Sequence, residues 1–161
     1  MLIKKIPQKD TPKYKKGLAK CQELKKEGFN NAFTFNGGIG EKQRKWLEKQ
    51  LLIADKKNKT VIIFCHWPLL PEDHLQLWDN RKVLGLLSKH KCVTAWIAGH
   101  RHEGSYERKE GIHHLTLKSI VEAKSETSFG IIEVYRDKLL LKGYGDQENR
   151  ILIDRNSSQF R

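Results

Sequence analysis

The chain has 161 residues, of which 38% are hydrophobic and 31% charged, with 12 Gly and 4 Pro and a formal net charge of +12. The length suits one domain with a real core. The Gly and Pro content excludes a collagenous or low-complexity chain, and no apolar run approaches a membrane span. Met1-Leu2-Ile3-Lys4-Lys5 lacks the apolar stretch of a signal peptide, so the expected location is cytoplasmic, away from membranes. Cys21, Cys65 and Cys92 fit neither a disulfide framework nor paired zinc ligands and are expected to be free, mostly buried thiols. The positive charge suggests anionic partners such as nucleotides. Its lysines lack interleaved aromatics, which argues against nucleic acid.

In chain order, residues 1–9 form a basic lead-in. Thr11 can cap a first helix with Pro12 at its first position, Tyr14, Gly17, Leu18, Cys21 and Leu24 on one stripe, and Gly28 as the stop. Phe33–Phe35 should be a short extended piece, followed by an Asn36-Gly37-Gly38 turn. A second helix over about Glu41 to Ala54 places Trp46, Leu47, Leu51 and Ala54 on one face. Thr60–Cys65 reads as a strand buried on both faces, with His66 immediately after it.

Residues 67–80 form a long loop. Asp79 can cap a third helix over about Arg81 to His90. Cys92–Ala98 is a second buried strand ending in Gly99-His100-Arg101-His102. Strand, helix, strand implies a parallel crossover. Beyond Gly111 the pattern is antiparallel: Ile112–Lys118 alternates, and Phe129–Tyr135 joins Lys138–Lys142 through a hairpin at Arg136-Asp137. Residues 146–161 read as a peripheral polar tail, and His74 and His90 as exposed.

The fold class is therefore α/β, a mixed β-sheet with flanking helices. Such sheets bind ligands at the carboxyl ends of their parallel strands. His66, His100 and His102 stand at two such ends, where neutral imidazoles can converge on a metal ion. Gly99 allows the sharp turn that presents both later rings to one pocket. Arg101 and Arg81 are candidate phosphate contacts. Trp67, Trp78 and Tyr106 are candidate stacking partners for a nucleobase.

Val61–Pro68 followed by Ile97–His102 resembles the last two metal motifs of the calcineurin-like metallophosphoesterases. Phe35–Gly38, Gln43–Leu47, Trp78–Arg81, Gly104–Tyr106 and Val134–Gly143 are similar to the manganese-dependent ADP-ribose/CDP-alcohol diphosphatases among them. The resemblance runs over residues 10–145. It implies the C-terminal half of a sandwich of β-sheets and helices with a two-metal site (Mn, Fe or Zn). His66 and His100 would ligate one ion and His102 the other, and the reaction would be hydrolysis of a nucleotide-diphosphate-linked small molecule.

The family's earlier motifs, Asp-x-His, Gly-Asp-x-x-Asp and Gly-Asn-His, do not occur in this sequence. The chain is therefore expected to be incomplete and inactive alone, and either to need a missing N-terminal half or to self-associate. Two other readings stand beside this one: a non-catalytic basic nucleotide- or RNA-binding remnant, and a mononuclear zinc hydrolase using the three histidines.

Overall fold

The structure, a computed structural model, describes residues 10–122, 124, 127–155 and 157; the basic lead-in at 1–9 lies outside them. Among the described residues ten elements follow one another: α1 (Pro12–Lys26), α2 (Gly40–Lys56), β1 (Val61–Phe64), α3 (Asn80–Leu87), β2 (Val93–Ala98), β3 (Ser105–Lys109), β4 (Ile112–Thr116), β5 (Ser128–Val134), β6 (Lys138–Gly145) and β7 (Arg150–Ile153).

The strands make two sheets, a four-stranded one in the order β1-β2-β4-β3 and a three-stranded one in the order β5-β6-β7. β1, β2 and β4 run parallel, β3 pairs with β4 antiparallel, and the second sheet is antiparallel throughout. The expected α/β class and the parallel crossover through α3 are both present.

β2 is the centre of the molecule. Trp96 and Ala98 face one core, where Leu47 and Leu51 of α2 meet Val83 and Leu87 of α3. Ala95 and Ile97 face the other, against Leu139, Leu141 and Leu152 of the second sheet. All six β2 residues are buried, which explains an apolar run broken only by Thr94. Each large aliphatic side chain so buried contributes about 1.5–3 kcal/mol. The indole of Trp96 donates to the Trp67 carbonyl at 3.1 Å, so its polar edge is satisfied inside the core.

α1 begins as expected, with the Thr11 hydroxyl accepting from the Tyr14 N–H. Only Cys21 and Leu24 of its stripe are buried. Asp79 does not cap α3 with its side chain. Its carboxylate instead accepts from the N–H groups of Ile39 and Gly40, both at 3.1 Å, and pairs with Arg44. These are the free donors at the start of α2, so one carboxylate caps that helix from across the fold.

Several expectations fail for identifiable reasons. Phe33–Phe35 is not a strand, because its carbonyls accept from the indoles of Trp78 and Trp67 instead of a neighbouring strand. Trp46 is 54% exposed, since the α2 stripe toward the sheet is narrower than its apolar composition suggests. β1 is an edge strand, so Phe64 is 68% exposed rather than buried.

His90 is buried, with Nδ1 at 2.7 Å from Asp55, whose other oxygen accepts the Cys92 N–H. α3 ends at Leu87, three residues before the expected His90. β3 has no counterpart in the sequence pattern; it forms a hairpin with β4 across Glu110 and Gly111, both at positive φ. The stretch read as a peripheral tail contains β7, whose Leu152 is buried in the second core. Among the described residues the cysteines are free, and burial, with Asp55 beside it, pushes the Cys92 thiol up to about 12.

Candidate metal centre

The parallel strands β1 and β2 are hydrogen-bonded neighbours, with Phe64 opposite Ile97. Beyond these residues the chains turn away from the sheet. The Cys65 N–H still donates to the Ile97 carbonyl at 3.0 Å, and the Gly99 N–H to the His66 carbonyl at 3.1 Å. These two bonds extend the pairing past the regular strands and hold the His66 and Gly99-His100 segments side by side.

The turn itself falls on His100, not on Gly99. His100 has φ +68°, and the Arg101 N–H donates back to the Gly99 carbonyl at 2.8 Å across it. A non-glycine residue there is strained by about 1–3 kcal/mol, and such strain is held where the surroundings over-determine it.

The outcome is close approach of two imidazoles. His66 Nε2 and His100 Nδ1 are 3.2 Å apart, with ring centroids at 5.0 Å. Two nitrogens that share one ion at about 2.0–2.1 Å stand roughly 2.9–3.4 Å apart, so the pair has the spacing of two ligands of a single cation. Burial, and then the neighbouring His66 and His102, hold the His100 pKa below the usual imidazole value. Its neutral, ligating form is therefore favoured.

His102 lines the same cleft, of about 540 Å³, together with His66, His100 and Arg101. Its Nδ1 lies 3.0 Å from a Glu122 oxygen. The three histidines thus share one cleft, but among the described residues no three His, Cys, Asp or Glu side chains gather around a single point. That arrangement does not support a zinc ion held by all three. It leaves His66 and His100 as a pair, and His102 apart with a carboxylate.

The other candidate residues disperse. Arg101 has both terminal nitrogens on carboxylates, one on Asp73 and one on Glu103, so it braces the cleft wall. Arg81 is exposed, 3.6 Å from Glu72, and lines separate surface hollows. The Tyr106 hydroxyl bonds His113 Nδ1 at 2.8 Å and its ring lies under the Arg150 guanidinium, in a different cleft. Trp78 and Trp67 spend their indole N–H groups on the carbonyls of Phe33 and Phe35, at 3.1 and 3.2 Å. Their role is to hold that loop. Gly37 is required there, since a Cβ would lie 2.7 Å from the Trp67 ring.

The loop carries two residues to which the sequence pattern assigns no role. Phe35 is 49% exposed, stacks on Phe33 at 5.0 Å, and stands 6.0 Å from the His100 ring. Asn36 is buried, and its Oδ1 lies 2.9 Å from His100 Nε2. The only signal in the sequence is the Phe35–Gly38 motif itself, which has no periodicity and gains meaning only once the loop folds over the strand ends.

Two imidazoles held together at the ends of parallel strands in a mixed sheet form a candidate site for a divalent cation. No family model matches the chain. It is 37% identical to the manganese-dependent ADP-ribose/CDP-alcohol diphosphatase of Xenopus tropicalis, over 92% of this chain and 48% of that protein. It is also 37% identical to the human protein of the same name, over 78% of this chain and 38% of that one.

A solved dimetal phosphatase from Danio rerio superposes with a TM-score of 0.82 at 26% identity, covering 92% of this chain and 52% of that one. These matches establish as homology the resemblance to the manganese-dependent diphosphatases, within the calcineurin-like metallophosphoesterases. The chain spans about half the length, or less, of these relatives.

Proposed function

We propose that the chain provides the histidine side of a two-metal hydrolase centre that cleaves the pyrophosphate of nucleotide-diphosphate-linked molecules, of ADP-ribose or CDP-alcohol type. The observation that carries this reading is the 3.2 Å approach of His66 and His100 beside His102, in a chain homologous to manganese-dependent diphosphatases. His66 and His100 would hold one divalent ion and His102 would contribute to a second, with manganese first and iron or zinc as alternatives. When bound, such ions stabilise charge on the phosphoryl oxygens during in-line displacement.

The chain's own residues prepare the site. His100 stays neutral through burial and the neighbouring imidazoles. Arg101, fixed between Asp73 and Glu103, shapes the wall. The exposed Phe35 ring beside His100 offers an apolar surface against which a nucleobase can stack. The present residues meet only part of an ion's coordination demand, since the cleft holds no carboxylate cluster among the described residues. Carboxylates that compensate two dications would come from the part of the relatives' length that this chain does not span. Residues 10–145 would then be the C-terminal half of one phosphoesterase domain. Free thiols suit a reducing compartment and support a cytoplasmic location. Among the described residues no helix is long and apolar enough to cross a membrane.

The test is hydrolysis of ADP-ribose with added manganese, by the chain alone and by the chain joined to or mixed with a complementary N-terminal half. No turnover alone, and turnover on completion that His66→Ala abolishes, is expected. Turnover by the chain alone that His66→Ala abolishes would refute the incompleteness. Absence of turnover in every correctly folded combination would refute the reaction.

A further inference from the structure

The amide of Asn36 is buried and fully engaged. Its Nδ2 donates to the Asn31 carbonyl at 2.8 Å and to the His74 carbonyl at 2.6 Å. Both amide hydrogens are therefore committed to groups that can only accept. A flipped amide would set Oδ1 against two carbonyl oxygens and leave a buried N–H pair facing His100, at a cost of about 1–3 kcal/mol for each unsatisfied group. Oδ1 must face His100 Nε2, which it does at 2.9 Å. A carbonyl oxygen accepts only, so Nε2 must carry the proton. A neutral imidazole has one ring proton, and Nδ1 is left bare toward His66 and the cleft.

We propose that Asn36 is a positioning residue for His100, its locked amide imposing the Nε2–H tautomer and the ring orientation that keep the Nδ1 lone pair available to a divalent cation. The tautomer stands on the hydrogen bonds alone; the consequence for metal rests on the metal-centre reading above. A ligating histidine commonly donates its second ring N–H to an oxygen in this way, and loss of such a partner weakens metal binding about 10–100-fold. The device is anchored in turn. Asn31 donates its own amide to the Leu77 carbonyl at 2.8 Å, and the Asn36 N–H donates to the Phe33 carbonyl at 3.1 Å, so the loop cannot slide along the ring.

Long-range proton–nitrogen NMR correlations on the metal-free chain at pH 7.5, with His100 assigned through His100→Gln, read the tautomer directly. The wild type is expected to show Nε2 protonated and Nδ1 bare, Asn36→Ala an averaged mixture, and Asn36→Asp, which keeps an acceptor at Oδ1, the wild-type pattern. A protonated Nδ1 or an averaged ring in the wild type overturns the proposal without any variant needing to fold. Calorimetric titration with manganese alone is the second reading. Affinity should fall about 10–100-fold in Asn36→Ala and recover in Asn36→Asp. The carboxylate of the Asn36→Asp variant would face the Asn31 and His74 carbonyls without a donor, so a residue that merely anchors the loop gives no recovery, and that outcome overturns the proposal. A wild type that shows the Nε2–H tautomer but takes up no manganese would refute the metal reading and leave the Asn36–His100 assignment standing.

Discussion

The indole N–H of Trp78 donates to the carbonyl of Phe33 at 3.1 Å, and the backbone N–H of the same tryptophan donates to the Gly37 carbonyl at 2.8 Å. Together with Trp67 on Phe35, these bonds fasten a loop without regular structure beside the histidine cleft. Trp78→Phe keeps most of the ring contact and removes one donor. It should cost about 0.5–1.5 kcal/mol of stability in chemical denaturation. Amide exchange should rise at residues 33–37 and stay unchanged in β2. Equal protection of the loop in both proteins would refute the fastening role.

The strands and the loop differ in how far the residue pattern discloses them. β2 is legible because a strand with a core on each face must be apolar without interruption, and Val93–Ala98 is nearly so. His66 and His100, just past the ends of the neighbouring parallel strands β1 and β2, then meet by topology. Phe64 misleads because β-branched and aromatic runs look alike on an edge and in a centre; only the strand order distinguishes them. β3 is invisible because Ser105–Lys109 is a polar edge strand defined by the Glu110-Gly111 turn rather than by its own side chains. Asn36 cannot be found from periodicity, since its meaning lies in a hydrogen bond to a residue 64 positions away.

His66 and His100 should behave as one unit toward a cation. With one nitrogen of each at 3.2 Å, removal of either leaves a single imidazole with no partner in place. His66→Ala and His100→Ala should each lower manganese affinity by about 100-fold or more. The double variant should be little worse than either single one, because residues that share one ligand are non-additive. Calorimetry on the three variants and the wild type closes the cycle. Additive losses would mean that the two rings bind separately.

Acid should loosen the four-stranded sheet. His114 is buried in β4 with its Nδ1 unpartnered, and burial, then Lys109 and His113, lowers its pKa from 6.5 to about 4. His113 is shifted in the same direction, chiefly by burial. The unfolded chain takes up these protons near pH 6.5, before the folded one does. The stabilising contribution of a neutral His114 is thus complete above pH 6.5 and lost as pH falls toward 4. At 1.36 kcal/mol per pH unit it amounts to roughly 3 kcal/mol at most. Denaturation midpoints measured from pH 7.5 to 4.5 should fall accordingly, and His114→Phe should flatten the slope. An unchanged slope in a folded His114→Phe would assign the acid sensitivity elsewhere.

The outer edge of β1 should govern association. Phe64 is 68% exposed on a strand that, among the described residues, has a neighbour on one side only, and Ile120 and Val121, 61% and 84% exposed, stand among the other uncovered apolar residues. An unprotected edge with apolar side chains invites a further strand, from a second copy or from a complementary half of the fold. Phe64→Lys places a charge on that edge and removes no core contact, so stability should stay within about 0.5 kcal/mol. Light scattering should show concentration-dependent growth of the wild type and a smaller species for Phe64→Lys. The same variant should weaken reconstitution with a complementary half, because both partners would use the same row of free backbone groups. A wild type that stays monomeric at high concentration, or a Phe64→Lys protein that associates as strongly, would show that this edge is not where the molecule finds its partner.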